Sequence, residues 1–287
     1  MAGSRRPPNV RLLAARNLAK SLLALGATCA ALAALGWVAG DLRFLSIFLF
    51  CGLLAGLTVA TAGDRIILGM IGARELALGE APALFATVSA LSTRAGIRPP
   101  RLYVVADGVP HALAVGRGSG SAAIAVSRGL LGACPPAELE AVLAHEIAHI
   151  RTRDVQPQTI AVVVAAVLYD GARLGGFLER PLRFVLAPLA SAAVHALLSP
   201  ARELAADQLA ALWCESPHPL ADALLRLEQA ADLVRFEAPV VTSPLWTIDP
   251  FPEAGPAALF ATHPPVGERV TALRSLDPGW QSRLRQL

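Results

Sequence analysis

The chain has 287 residues, of which 54% are apolar and only 16% charged, with a mean hydropathy of +0.52. Soluble globular proteins are usually less apolar, so a membrane protein of one or two domains is the first expectation. A net charge of +3, with arginines dispersed beyond an N-terminal basic tract, argues against a nucleic-acid-binding surface, and four cysteines (Cys29, Cys51, Cys134, Cys214) without C-x-x-C or framework spacing argue against a disulfide scaffold.

The chain opens with Arg5, Arg6, Arg11, Arg16 and Lys20, followed by apolar runs at 21–40 and 44–63 separated only by Asp41, Leu42 and Arg43. Each run is about 20 residues, the length that crosses a hydrocarbon core of roughly 30 Å. A signal peptide shares the basic start, but its apolar region is shorter and no second run follows it so closely. The pair reads as a transmembrane hairpin, 21–63, after a basic N-terminus, 1–20. Five positive charges before it against one in its turn place both ends of the hairpin in the cytoplasm. Gly52 and Gly56 form a G-x-x-x-G that can bring the two helices close.

From 64 onward the pattern is that of a folded domain reaching to 287. Leu84, Phe85, Val88 and Leu91 recur at helical spacing, and Gly96 ends that helix before Pro99-Pro100. Short strands follow at 101–105, 111–115 and 122–126, separated by Asp107-Gly108 and the glycine-rich 116–120. Next comes ELEAVLAHEIAHIRTRD at 138–154. Residues four apart share a helix face, so the imidazoles of His145 and His149 can converge on one tetrahedral Zn²⁺, which in a catalytic site takes three protein ligands and a water. Glu146, beside the first of them, is placed as the general base for that water. A small, mainly antiparallel sheet feeding such a helix is the arrangement of a zincin-like peptidase, and its edge strand can hold a substrate backbone by strand addition.

A second hydrophobic stretch, 159–198, is broken near Glu179-Arg180-Pro181 and interrupted by Asp170, Arg173 and Arg183. Its halves fall short of a clean span, which leaves a membrane hairpin and a buried or interfacial hairpin both open. Either returns the chain to SPARELAAD at 199–207, where Glu203 and Asp207 lie one turn apart among apolar neighbours. One of these carboxylates can supply the third ligand while the other holds a ligand imidazole. His195 and His218 match no ligand spacing; His111 can approach the site from an edge strand. His263 precedes a helix beginning at Pro264-Pro265 and carrying Glu268, Arg269, Val270 and Leu273, and 237–261, with Trp246 and Phe251, reads as a long ordered loop beside the cleft.

Three motifs in order, HEIAHI at 145–150, R-E-x-x-A-D at 202–207 and T-H-P-P-x-x-E-R-V at 262–270, resemble the HtpX-like membrane metallopeptidases, relatives of the CAAX prenyl endopeptidases. The resemblance runs from about residue 21 to 276. It implies an α+β, mainly helical fold: a zincin-like domain with a small antiparallel sheet attached to an N-terminal transmembrane hairpin, and with 159–198 also entering the membrane. It further implies one Zn²⁺ per chain held by His145, His149 and Glu203, with Glu146 as general base, Asp207 holding an imidazole, and His111, Arg202 and His263 lining the site. The implied activity is endopeptidase action on polypeptides, membrane proteins among them, at the bacterial inner membrane with the site facing the cytoplasm, in protein quality control. The chain departs from the family at Pro200, where an arginine is frequent, and at His111, where an asparagine is frequent. Two other readings fit less well. A zinc-binding scaffold or sensor needs no base at Glu146, and a prenyl-protein peptidase needs a lipid chamber that so short a membrane portion does not offer.

Overall fold

The computed structural model describes residues 8–38, 40–233, 238–248 and 256–277. Arg5, Arg6, Phe251 and parts of the 237–261 loop lie outside the described residues. Helices α1 (Val10–Val38) and α2 (Leu42–Met70) form an antiparallel hairpin, with Leu22, Leu23, Trp37, Phe50, Leu53 and Leu57 turned outward and exposed. Both are long and apolar enough to cross a membrane. Asp41 caps α2 by accepting the Arg43 N–H at 3.1 Å. Gly52 sits tightly on α1, where an added Cβ would lie 3.2 Å from Cys29 Cα, whereas at Gly56 the nearest neighbour, Leu25, is at 3.8 Å. Helix α2 continues past Gly63 to Met70, and its Asp64 accepts Arg101 Nη2 at 2.8 Å, tying the hairpin to the sheet.

The sheet contains β1 (Arg74–Glu75), β2 (Arg101–Val105), β3 (Ala112–Val115) and β4 (Ala123–Ser127) in the order β1-β2-β4-β3, with helix α3 (Pro82–Ala95) between β1 and β2. Two of its three ladders are antiparallel, as the sequence suggests; β2 and β4 run parallel. The turn at 116–121 folds β3 and β4 into a hairpin, and β4 offers its other side to β2. That leaves β3 at the edge. Side chains alternate between the faces with the period of two that a strand imposes. Leu102, Ala112, Ala114, Ile124 and Val126 pack under α3, α5 (Pro136–Arg151), α8 (Ala201–Trp213) and α9 (His218–Leu233). Tyr103, Leu113, Val115, Ala123 and Ala125 face the end of α2, Trp246 and α6 (Val155–Gly171). Helix α4 (Arg128–Ala133) is a short link between β4 and α5, and α10 (Val266–Arg274) packs against α9.

The 159–198 stretch forms α6, a 3₁₀ segment at 172–178 and α7 (Glu179–Leu197). Among the described residues neither helix passes alone as a membrane span, and together they bend by 95°. Helix α6 is buried along most of its length. Gln156 and Ile160 share a small cavity with Val59 and Ala60, Thr159 and Val163 face Gly63, and the cluster around Tyr169 takes in Met70. Helix α6 therefore advances in the direction of α2, away from the tip of the hairpin.

Candidate metal centre

Helix α5 starts at Pro136, a residue suited to the first helical position because no N–H is needed there. From Ala141 to Ile150 every residue is buried. Polar groups so enclosed must be satisfied by one another. The helix closes in a Schellman turn: the Asp154 N–H donates to His149 O (2.9 Å), the Arg153 N–H donates to Ile150 O (3.1 Å), and Arg153 takes the left-handed conformation (φ 57°). That turn folds Asp154 back so that its Oδ2 lies 2.9 Å from His149 Nδ1.

The Nε2 atoms of His145 and His149 are 3.1 Å apart. Glu203 on α8 places Oε2 at 3.3 Å from the first and Oε1 at 3.6 Å from the second. Ligands at roughly 2.0–2.1 Å on a tetrahedral ion stand about 3.3 Å from one another, so the three donors are already spaced as tetrahedral vertices. Both Glu203 oxygens are buried and accept no hydrogen bond among the described residues, although Arg202 Nε lies 3.0 Å from Oε1. The outer nitrogens are committed: His145 Nδ1 lies 2.9 Å from Asp207 Oδ1, as His149 Nδ1 does from Asp154. This fixes both tautomers with Nε2 free to donate a lone pair. Charge points the same way. The buried carboxylates of Glu146, Asp154, Glu203 and Asp207 face the guanidiniums of Arg202 and Arg269, and four against two leaves two negative charges, the complement of a divalent cation. The residues fit a metal.

Protonation follows from these neighbours when no ion is bound. Burial alone lowers His149, but Glu203 and Asp154 outweigh it and hold the imidazole at about 10. His145 is likewise raised against its burial, by Asp207 and Glu203. Glu203 is held well below the ordinary carboxylate range despite burial, through His263, Arg202 and His149. The pocket thus favours positive charge between the two imidazoles and Glu203. His263 goes the other way: burial, helped by Arg202 and Arg269 against the pull of Glu203, pushes it down to about 3 and keeps it neutral.

Of the residues expected to line the site, Arg202 touches both Glu203 and Asp154, and His263 reaches Glu203 Oε1 with Nε2 at 3.7 Å. His111 stays outside the ligand group. Its Nε2 lies 3.3 Å from Asp107 Oδ2, its ring meets Trp246 edge-on at 4.3 Å, and it lines a separate cavity of about 400 Å³ with both. Three further residues bear on the site without having been read from the sequence as part of it. Asp154 orients His149. Arg269 grips Asp207 with Nε at 2.9 Å and Nη2 at 2.7 Å. Thr247 donates its hydroxyl to Glu146 Oε1 at 2.9 Å and its N–H to Ala112 O at 3.3 Å, so the edge of β3 carries a contact from the chain itself. Asp154 had a usable signal, an acid just past the helix that carries the second histidine; the other two had none in local spacing.

The model of peptidase family M48 matches residues 80–277. The chain is 36% identical to a Protease HtpX homolog of Acidiphilium cryptum over 277 residues, covering 91% of this chain and 96% of that one. It is 35% identical to a Protease HtpX homolog of Pyrococcus abyssi over 267 residues, covering 86% and 91%. Among solved structures, that of S. mikatae Ste24p aligns with a TM-score of 0.47 and 21% identity, over 91% of this chain and 66% of that one. On the extent and identity of these sequence matches, the chain is an HtpX-like metallopeptidase belonging to peptidase family M48.

Proposed function

We propose that the protein is a zinc-dependent endopeptidase of the bacterial inner membrane, acting on membrane or misfolded polypeptides in quality control, with its catalytic domain facing the cytoplasm. In this reading residues 1–20 are a cytoplasmic tail, 21–63 cross the membrane twice, and 64–287 form the catalytic domain, whose hydrophobic hairpin 159–198 packs α6 against β3 and also enters the membrane through its exposed Phe177, Phe184 and Val185. The observation that carries the catalytic part is the spacing of His145 Nε2, His149 Nε2 and Glu203 at 3.1–3.6 Å, with Glu146 next to the first ligand. His145, His149 and Glu203 hold the zinc; Asp207 and Asp154 hold the imidazoles in the ligating tautomer. Bound there, zinc supplies Lewis acidity to the scissile carbonyl and the attacking water. Glu146 accepts a proton from that water and delivers it to the departing amide nitrogen, so the carboxylate ends the cycle as it began. Arg269 keeps Asp207 ionised and in place throughout.

The test uses the full chain in detergent. One zinc per chain and chelator-sensitive cleavage of casein are expected. Glu146→Gln should keep the zinc and lose cleavage by roughly 100- to 10,000-fold; a variant empty of metal would remove Glu146 from the role of base. Topology is read separately in a background lacking the native cysteines. Arg98→Cys, exposed on the catalytic side, should resist an impermeant thiol reagent in intact cells, whereas Leu42→Cys in the hairpin turn should react; the reverse pattern would put the catalytic domain outside.

A further inference from the structure

A second cavity, of about 100 Å³, lies between the N-terminal part of α1 and the start of α8. At roughly 30 Å³ per water it has room for about three waters, the bulk of a single tetrahedral oxyanion. Arg16 and Lys20 line it from α1, Ser199 and Ala201 from the entry of α8, and Asp154 and Arg202 form its inner wall. Its one carboxylate is already neutralised, since Asp154 Oδ2 lies 3.4 Å from Arg202 Nη1 and 2.9 Å from His149 Nδ1. Among the described residues no carboxylate pairs with Arg16 or Lys20. The walls are fixed by contacts that span the fold: Lys20 Nζ donates to Leu197 O at 3.0 Å, and Asn17 Nδ2 donates to Thr152 O at 3.0 Å. Leu12 is exposed before the cavity, but beyond Lys20 no charge interrupts α1, and the exposed Leu22 and Leu23 follow at once. The cavity therefore sits at the depth where a bilayer carries its phosphates, and Arg16 and Lys20 have the stem length to reach them.

We propose that this cavity binds the phosphodiester of an anionic phospholipid headgroup of the phosphatidylglycerol type. Basic pockets beside membrane helices at the headgroup level recognise such lipids by charge. The same oxyanion chemistry would admit free phosphate; the position at the start of the apolar band selects the lipid. Because Arg202 and Asp154 form the inner wall and also touch Glu203 and His149, the headgroup lies one contact away from the proposed metal ligands. The inference rests on the membrane placement of α1 and not on the peptidase reading.

The full chain is placed in nanodiscs of phosphatidylcholine with graded phosphatidylglycerol, and the lipids that remain after release are counted by native mass spectrometry. Roughly thirtyfold enrichment of phosphatidylglycerol is expected from two cationic side chains at the surface. It should be lost in Arg16→Gln/Lys20→Gln and reduced in Arg16→Gln alone, which keeps the Lys20–Leu197 bond. Equal retention of the two lipids, or unchanged enrichment in the double variant, overturns the proposal. Displacement of the lipid by millimolar inorganic phosphate overturns the lipid as ligand and leaves a soluble oxyanion site. Insertion into the disc is scored by gel filtration, so failure of α1 to enter the membrane is seen separately and overturns the proposal at its foundation.

Discussion

The α1–α2 hairpin and helix α5 are both apolar by composition, and they solve opposite problems. In the hairpin the large side chains point outward, Trp37 at 71% exposure and Phe50 at 65%, while small residues such as Gly52 make the contact between helices. In α5 the covering is protein, and the interior holds ionisable groups: His145 and Glu146 are 0% and 2% exposed. A bilayer can cover an apolar helix with no specific partner, so there only helix–helix contact is specified in detail. A buried polar helix needs a named partner for every charge, and α5 draws them from α8, α10, the turn at Asp154 and Thr247. Hydropathy therefore reports what covers a helix, whereas the ionisable residues report what the helix does.

Removing one partner from the α5 network should give the largest effect. Arg269→Ala leaves Asp207 buried without its guanidinium and should destabilise the catalytic domain by about 3–5 kcal/mol. In a thermal melt of the detergent-solubilised protein this is a fall of roughly 10 °C. A melt unchanged to within a few degrees would mean that water reaches Asp207, and the contrast with the hairpin would collapse. In the hairpin, Gly52→Leu forces a side chain against Cys29 Cα and should cost about 1–3 kcal/mol through overpacking. Zinc content should stay unchanged, because the disturbance lies in the membrane portion. The smallest effects are at the ends of α3 and α5. Gly96 and Arg153 occupy the same left-handed position in two Schellman turns, with φ 67° and 57°. Relief of side-chain strain in the exposed Arg153→Gly outweighs the added chain entropy and should stabilise by about 0.5–1 kcal/mol, while Gly96→Ala should destabilise by about 1 kcal/mol. Opposite signs at the two turns are what chemical denaturation should read.

How much was legible in the sequence depends on whether the information was local. His145, Glu146 and His149 are set by the pitch of one helix, and Glu203 and Asp207 by the pitch of another, so spacing alone exposes them. The two membrane helices follow from run length. Arg269 and Thr247 come from segments 62 and 101 residues away from the carboxylates they hold, and nothing in their own surroundings marks them. The parallel β2–β4 pairing was hidden for a related reason: three short strands joined by turns suggest a meander, and only packing of the 116–121 hairpin against β2 decides the order. The 159–198 stretch was hard to read because one apolar composition serves two surroundings: α6 is largely buried, against α2 and β3 among others, whereas the part after it exposes Phe177, Phe184 and Val185.

Thr247 has a consequence for aim. Its hydroxyl donates to Glu146 Oε1 and its N–H to the Ala112 carbonyl, so one residue ties the carboxylate beside the metal ligands to the edge of β3. A carboxylate has two oxygens, and a bond on Oε1 sets the plane of the group while leaving Oε2 to take a proton. Trp246, fully buried next in the chain, anchors the segment that makes this tie. The base is thus registered to the strand edge rather than to its own helix alone, as a tool is zeroed against the bed that holds the workpiece.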